Sequence, residues 1–548
     1  MLSLAAIATS SFQAPADKPH LVFFMADDTG APRAPHPRPP AQRLRQPGPA
    51  RRAGWANVGW HNTDMKTPNA DALVADGVEL DRHYAFVYCS PSRSSLMTGR
   101  LPYHVQQINR PNCDTGQGVQ PLNMTFLPAK LAAVGYQTFH VGKWHLGMST
   151  PGHIPKGRGF GESLVYFEGA EDHNTQRSCQ DPECMVPIPA NASSPYDLWV
   201  DDHPATSLAG VEHSGFLFGR TAVGYVQSLD LSKGPMFMYL APASSHTPLE
   251  PPQRYLELYP AEWYLDRRQF AGLCSLWDDI LGNVTSALRA REMWATTLLV
   301  FSSDNGGPVY WSVEPVEYPH GAGANNWPLL GGKTSAWEGG VRVAAFVAGG
   351  WLPQAARGTK LEGYAHIADW YGTFARLGGA DPTDEAAAAA GLPPVDSLDL
   401  WPMVSGANTT SPRAELALVV DFAEFAKRPD LNTSVLISGQ WKLLEAVQTQ
   451  TYHQGPAFPN ASSPPYGVLT DKSLLRLCKP ACLYDIFADP TEQHDVALQH
   501  LEVVATLRAR LNELRPTKFQ PESDKQQVRC QAQVEKNGDF YGPWLPVP

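Results

Sequence analysis

Four apolar runs along the chain end the same way. In His20–Gly30 (HLVFFMADDTG) six apolar residues close on two aspartates. Ala133–Gly147 (AVGYQTFHVGKWHLG) reads as a helix end, a turn at Gly135, a strand, then a polar loop. Gly234–Pro252 (GPMFMYLAPASSHTPLEPP) and Thr296–Gly307 (TTLLVFSSDNGG) repeat the pattern. Helix-period segments lie between them, among them Arg254–Leu258 and Ala271–Arg291. Uniformly apolar strands alternating with helices predict an α/β fold with a mostly parallel central sheet. Such sheets bind ligands beyond the carboxyl ends of their strands, so the polar clusters there belong to one candidate site.

The pattern changes after about Ser405. Thr433–Ala446 predicts a hairpin turning at Ser438-Gly439-Gln440, CLYDIFADPTEQHDV a strand and an Asp-Pro turn, and His500–Arg515 an amphipathic helix. The expected organisation is a catalytic domain over 17–405 and a smaller α+β domain with a short antiparallel sheet over 406–548. Residues 1–16 read as the tail of a secretory signal without a basic start, or equally as a ragged N-terminus. Ala380–Pro394 reads as a low-complexity surface loop. Ala31–Gly54, rich in Pro and Arg with no acidic residue, fits neither strand nor amphipathic helix. It reads as an insertion, of translated non-coding origin, against the alternative of a basic loop for a polyanion. Without it, MADDTG runs into WANVGWHN as strand, turn and loop.

Of the 548 residues, 43% are hydrophobic and 18% charged, enough for a sizeable core. The net charge of −11 argues against nucleic acid or an anionic membrane as partner, so an anionic substrate needs a local basic pocket. No run approaches the ~18 apolar residues of a membrane span. Six Asn-x-Ser/Thr sequons (Asn123, Asn191, Asn283, Asn408, Asn432, Asn460) favour a secreted or lysosome-like route. Of eight cysteines, Cys179/Cys184 and Cys478/Cys482 form close pairs beside proline, as in small disulfide loops.

Four groups carry the candidate chemistry. Asp27 and Asp28, with Asp304 and Asn305, offer three carboxylates and an amide oxygen, a hard site suited to Ca²⁺ or Mg²⁺ rather than zinc. Arg93, Lys143, His145, His246 and Lys333 follow strands or sit in glycine-rich loops; together they suit a tetrahedral oxyanion. In VYCSPSRSSLMTGR (Val87–Arg100), Ser90 is the expected N-cap and Pro91 the first helical residue, which places Cys89 where a thiolate is favoured. A thiolate is a poor partner for a hard cation, so the nucleophile should be an oxygen although the encoded residue carries sulfur.

Cys89-Ser90-Pro91-Ser92-Arg93 followed by SLMTGR resembles the C-x-P-x-R signature of the type I sulfatases. DD before it and GYQTFHVGKWHLG, SDNGG and GKTSAWEGGVR after it occur in the family's order, so the resemblance spans nearly the whole chain outside the insert. NNWPLLGGKTSAWEGGVR and the late YGPW are most similar to the arylsulfatase B (N-acetylgalactosamine-4-sulfatase) group. The resemblance implies an alkaline-phosphatase-like large domain. It also implies conversion of Cys89 to formylglycine by a formylglycine-generating enzyme, and one Ca²⁺ held by Asp27, Asp28, Asp304, Asn305 and residue 89. Arg93 would hold the formylglycine, and Lys143 and His145 its hydroxyls, with His145 taking a proton. His246 and Lys333 would hold the sulfate, either one protonating the leaving alcohol.

The implied reaction is hydrolysis of a sulfated sugar or aryl sulfate through a covalent sulfo-enzyme. A Ser or Thr sulfate ester would need attack by water, whereas a two-hydroxyl carbon expels sulfate by re-forming its aldehyde. The rival readings are a phosphoesterase of the related fold and a secreted, non-catalytic binder of sulfated polysaccharide. The resemblance further pairs Cys113 with Cys530 and Cys179 with Cys184, makes Cys478–Cys482 a local bridge, and leaves Cys274 a buried thiol. Leu330 stands where that group has an arginine, which predicts a changed substrate-side contact. The insert after Gly30 predicts a disturbed Asp27/Asp28 pair.

Overall fold

Successive residues of the first strand point to opposite sides of the sheet, and both sides are covered. Leu21, Phe23 and Met25 enter one buried apolar cluster, and Val22, Phe24 and Ala26 another. This two-sided burial is why the run is apolar at every position rather than at alternate ones. The computed structural model describes residues 18–30, 57–109, 120–179, 194–309, 323–422, 433–459, 475–519, 521 and 527–546.

Ten strands form the large sheet: β1 (His20–Ala26), β2 (Val78–Tyr84), β3 (Gln137–Lys143), β4 (Glu162–Tyr166), β5 (Trp199–Val200), β6 (His203–Pro204), β7 (Met236–Ala241), β8 (Thr297–Ser303), β9 (Ala345–Ala348) and β10 (Thr359–His366). Their order is β10-β2-β9-β8-β1-β7-β3-β4-β5-β6. The central five, β8-β1-β7-β3-β4, are parallel, as are β10 and β2. The pairs β2/β9, β8/β9, β4/β5 and β5/β6 are antiparallel. The carboxyl ends of β1, β3, β7 and β8 therefore share one edge, followed by Asp27-Asp28, His145, His246 and Asp304-Asn305.

A second sheet is antiparallel, in the order β11 (Glu415–Phe422), β12 (Thr433–Ser438), β13 (Trp441–Gln448), β14 (Arg476–Asp485). Ser438 faces Trp441 across the hairpin, and Gly439 takes the turn at φ 55°. Helix Leu501–Leu514 lays Val504, Leu507, Leu511 and Leu514 against Leu436, Leu443 and Leu483.

Some expectations need correction. The helix expected over Ala271–Arg291 spans Leu265–Ala290, and Asp266 in its first turn complements the helix dipole. Ala380–Pro394 is not all loop. Asp384 caps a short helix, Glu385–Ala389, whose Ala387 is buried, as an alanine run favours. Cys478–Cys482 is a disulfide, and Cys89 and Cys274 are buried free cysteines. Cys179 and Cys530 are disulfide-bonded; their expected partners, Cys184 and Cys113, lie outside the described residues.

Candidate active site

The motif helix runs Cys89–Thr98, and all ten residues are buried. It starts two residues earlier than the Ser-Pro signal implies. Tyr88 is the N-cap, with no side-chain cap bond. Asn109 Oδ1 instead accepts from the Ser90 N–H at 3.0 Å, while the Ser90 hydroxyl accepts from Gln106 Nε2. Nor does the helix start stabilise a thiolate. Burial pushes the Cys89 thiol well above its ordinary 9.0, and the nearby Asp304 carboxylate adds to the rise. Cys89 is a neutral thiol donating to Asp27 Oδ1 at 3.6 Å.

Around it stand three fully buried carboxylates and three buried cations. Lys143 Nζ donates to Asp27 Oδ2 at 2.7 Å, and Lys333 Nζ donates to Asp28 Oδ2 at 2.9 Å. Arg93 gives Nε and Nη2 to Asp304 Oδ2, at 3.2 and 2.7 Å. Its Nη1 reaches the Lys143 carbonyl and Tyr239 Oη, both at 3.1 Å. Arg93 thus braces the Asp304 loop against β3 and β7. Tyr239 escaped sequence reading because its hydroxyl is the lone polar group of an apolar strand.

Burial opposes ionisation of all three acids, and their neighbours then separate them. Lys143, the largest opposing influence, holds Asp27 well below the usual range. Asp28 is raised by burial, which outweighs Lys333, and Asp304 is raised to about 6 by burial and the Asp27 charge. Burial and the lysines keep His145 and His246 neutral. The backbone here is strained as well. Asp28, His145, Ser245 and Thr334 adopt φ of 61°, 52°, 82° and 76°, a region costly for non-glycine residues that recurs at functional sites.

The structure brings Asp27, Asp28, Cys89 and His246 together, one ligand atom of each lying within 4.8 Å of the others. His246 thereby joins residues that the motif reading had reserved for metal. Asn305 Nδ2 donates to Asp28 Oδ1 at 2.7 Å, and the Asp28 N–H donates to Asp304 Oδ1 at 3.2 Å. Asn305 Oδ1 is buried and has no hydrogen-bond partner. An unpaired amide oxygen among carboxylates is costly in a finished protein and suits a hard cation. The donor set therefore fits Ca²⁺. His145 Nδ1 is likewise buried without a partner.

The disturbance expected from the insert does not appear. Asp27 and Asp28 are firmly paired despite the insert, and Gly30 accepts from the Ala344 N–H at 2.7 Å. Leu330 is buried in the apolar cluster of Tyr84, Phe86 and Trp337, so where the resemblance has an arginine this chain presents no charged side chain.

A parallel-centred sheet with buried carboxylates and cations at its carboxyl edge defines an alkaline-phosphatase-like α/β hydrolase. A sulfatase family model matches residues 19–380, and the chain belongs to the sulfatase family. It is 29% identical to Arylsulfatase J of Mus musculus, over 96% of this chain and 80% of that protein. It is 28% identical to Arylsulfatase A of Homo sapiens, over 84% and 86%. The crystal structure of Ps i-CgsB in complex with k-i-k-neocarrahexaose shares the fold, with a TM-score of 0.69 at 23% identity over 95% of this chain and 98% of that one. Phosphonate Monoester Hydrolase of Agrobacterium radiobacter shares it more distantly, with a TM-score of 0.53 at 16% identity over 92% and 100%. The chain is a sulfuric ester hydrolase.

Proposed function

We propose that the chain hydrolyses a sulfated sugar or aryl sulfate by the formylglycine route, with one Ca²⁺ held by Asp27, Asp28, Asp304 and Asn305 beside residue 89. The observation that carries this reading is Cys89, a neutral buried thiol set among oxygen ligands. As a thiol it is neither a good nucleophile nor a ligand for a hard cation. When present, Ca²⁺ would supply positive charge beside the sulfate oxygens, and hydrated formylglycine would supply one hydroxyl as nucleophile and a second whose deprotonation lets the aldehyde re-form as sulfate is expelled.

The chain's own residues do the rest. Three carboxylates against Arg93, Lys143 and Lys333 balance in charge, so the charge of a bound dication remains to favour an anionic ester. His246 Nδ1 lies 2.8 Å from the Thr247 carbonyl and must donate to it, so Nε2 carries a lone pair. Lys333 Nζ, 3.2 Å from that nitrogen, holds the proton for the leaving oxygen. His145, neutral and with an unpartnered Nδ1, would be the base for the proton of the second hydroxyl.

The sequons Asn123, Asn283 and Asn408 are exposed, and four of the described cysteines are disulfide-bonded, which supports passage through the secretory route to a secreted or lysosome-like destination. Among the described residues no helix is long and apolar enough to cross a membrane. Maturation requires a formylglycine-generating enzyme. Mass spectrometry of the peptide spanning Cys89, from a host that makes formylglycine, should show the aldehyde or its hydrate. Unmodified cysteine there, or turnover of an aryl sulfate by Cys89→Ala, refutes the mechanism and leaves a sulfated-polysaccharide binder or a different hydrolase.

A further inference from the structure

The loop that carries Lys333 is fixed from below by a cluster of charges with no solvent contact. Glu338 lies five residues after Lys333, at the start of the short helix Glu338–Val341. Lys442, on β13 of the small sheet, donates to Glu338 Oε1 at 2.9 Å and pairs with Glu492 Oε1 at 2.8 Å. The second Glu492 oxygen accepts from the Glu338 backbone N–H at 2.7 Å. Glu338 Oε2 accepts from Tyr84 Oη of β2 at 3.0 Å, and Arg342 joins Glu338 to Asp81. Glu338, Lys442, Glu492, Arg342, Tyr84 and Asp81 are all 0% exposed.

What hangs on Glu338 is the site. The Gly339 N–H returns to the Leu330 carbonyl at 2.8 Å and closes the loop that presents Lys333. The Gly306 N–H, directly after Asn305, donates to the Gly340 carbonyl at 2.9 Å. A Cβ on Gly306 would meet the Gly339 oxygen at 1.9 Å, so the two segments are in backbone contact. The small sheet holds the loop from a second direction too. Trp337 Nε1 donates to the Thr449 carbonyl at 3.0 Å, and the Thr449 hydroxyl donates to the Thr334 carbonyl at 3.0 Å.

We infer that Lys442, with Glu492, is a positioning residue for the anion and metal site. It sets Lys333 and the Asp304–Asn305 loop through Glu338, although it touches neither. The inference rests on the sulfate and Ca²⁺ reading above. Buried charges are poor stabilisers compared with apolar residues of the same shape, so this cluster is better explained by the geometry it imposes. Removing Lys442 alone would strand two buried carboxylates, so the informative variant is the balanced K442M/E492Q.

The test uses the full mature chain, purified with its formylglycine content measured. The parent and K442M/E492Q are compared for KM on 4-nitrophenyl sulfate, and for the Ca²⁺ concentration at half-maximal thermal shift without substrate. At a temperature where both are folded, we expect the double variant to raise both quantities about tenfold. A merely structural role would lower Tm but leave both within threefold of the parent, and that result overturns the inference. If the double variant does not fold, E492Q, which keeps the Lys442–Glu338 pair, is read against the same threefold limit. A parent with neither turnover nor a Ca²⁺ response would instead count against the proposed function.

Discussion

Lys333 Nζ stands 3.2 Å from His246 Nε2, and His246 is oriented to accept from it. This separates two residues that the motif reading left interchangeable as proton donors. If Lys333 protonates the leaving oxygen, its loss should matter most where that oxygen is most basic. Lys333→Ala should reduce kcat/KM for a sugar sulfate by about 10²–10⁴, the usual worth of a general acid. The loss on 4-nitrophenyl sulfate, whose phenolate leaves readily, should be at least tenfold smaller. Equal losses on both substrates would make Lys333 a binding residue only.

The insert gives a second prediction. A Cβ on Gly30 would lie 3.0 Å from Asn57 Nδ2 and 2.4 Å from Asn326 Oδ1, so the described chain resumes at Asn57 beside the point where it leaves. Asn57 Oδ1 is itself anchored by Arg267 and by the Asn325 N–H. Two residues, Trp55 and Ala56, are enough to join Gly30 to Asn57 once 31–54 is removed. Deletion of 31–54 should leave aryl sulfate turnover within about threefold of the parent and should not lower Tm. Loss of activity in the folded deletion would give the segment a role.

The fold was legible because the strands of a doubly covered sheet are apolar throughout and end in polar residues, and the site follows from those ends. Asp27, Asp28, His246 and Asp304 all lie just past strands. What stayed hidden was contact across long separations. Tyr239 looks like core, yet it receives an Arg93 hydrogen bond. Asn109 lies in an unremarkable polar loop, yet it caps the motif helix. The thiolate expectation failed because local sequence shows a helix start but not complete burial or the facing carboxylates.

His140 offers a stability test. It is 0% exposed on β3, packs edge-on against Trp144, Phe160 and Tyr239, and neither ring nitrogen has a hydrogen-bond partner. Unpaired buried polar groups cost about 1–3 kcal/mol. His140→Met, close in volume and apolar, should stabilise the protein by about that much in urea unfolding, with turnover unchanged. Destabilisation would show that the imidazole has a partner, such as a buried water.

Stability should also peak with pH, because two sets of buried groups act in opposite directions. Burial lowers His20 to about 4 and His83, His153 and His213 to about 3. Below pH 6.5 the unfolded chain binds protons on these histidines and the folded chain does not, so stability falls as pH drops from 6.5 toward those values. Burial raises Asp197, Asp278 and Glu250 to about 7. Between about 4 and 7 the folded chain holds protons there that the unfolded chain has released, so stability falls as pH rises through that range. Among the described groups the histidines that burial lowers outnumber the acids that it raises, while above pH 6.5 the acids dominate. Urea unfolding at pH 8, 6.5 and 5 should therefore show the greatest stability near 6.5. The acid limb can be assigned to a residue. His83 Nε2 accepts from Trp370 Nε1 at 3.0 Å, a bond that the amide oxygen of His83→Gln can accept instead. That variant should lose about 1.6 kcal/mol less than the parent between pH 6.5 and 5, at 1.36 kcal/mol per pH unit for one proton and a half-protonated unfolded histidine at pH 6.5. An acid limb of unchanged slope would mean that His83 is not held neutral in the folded protein.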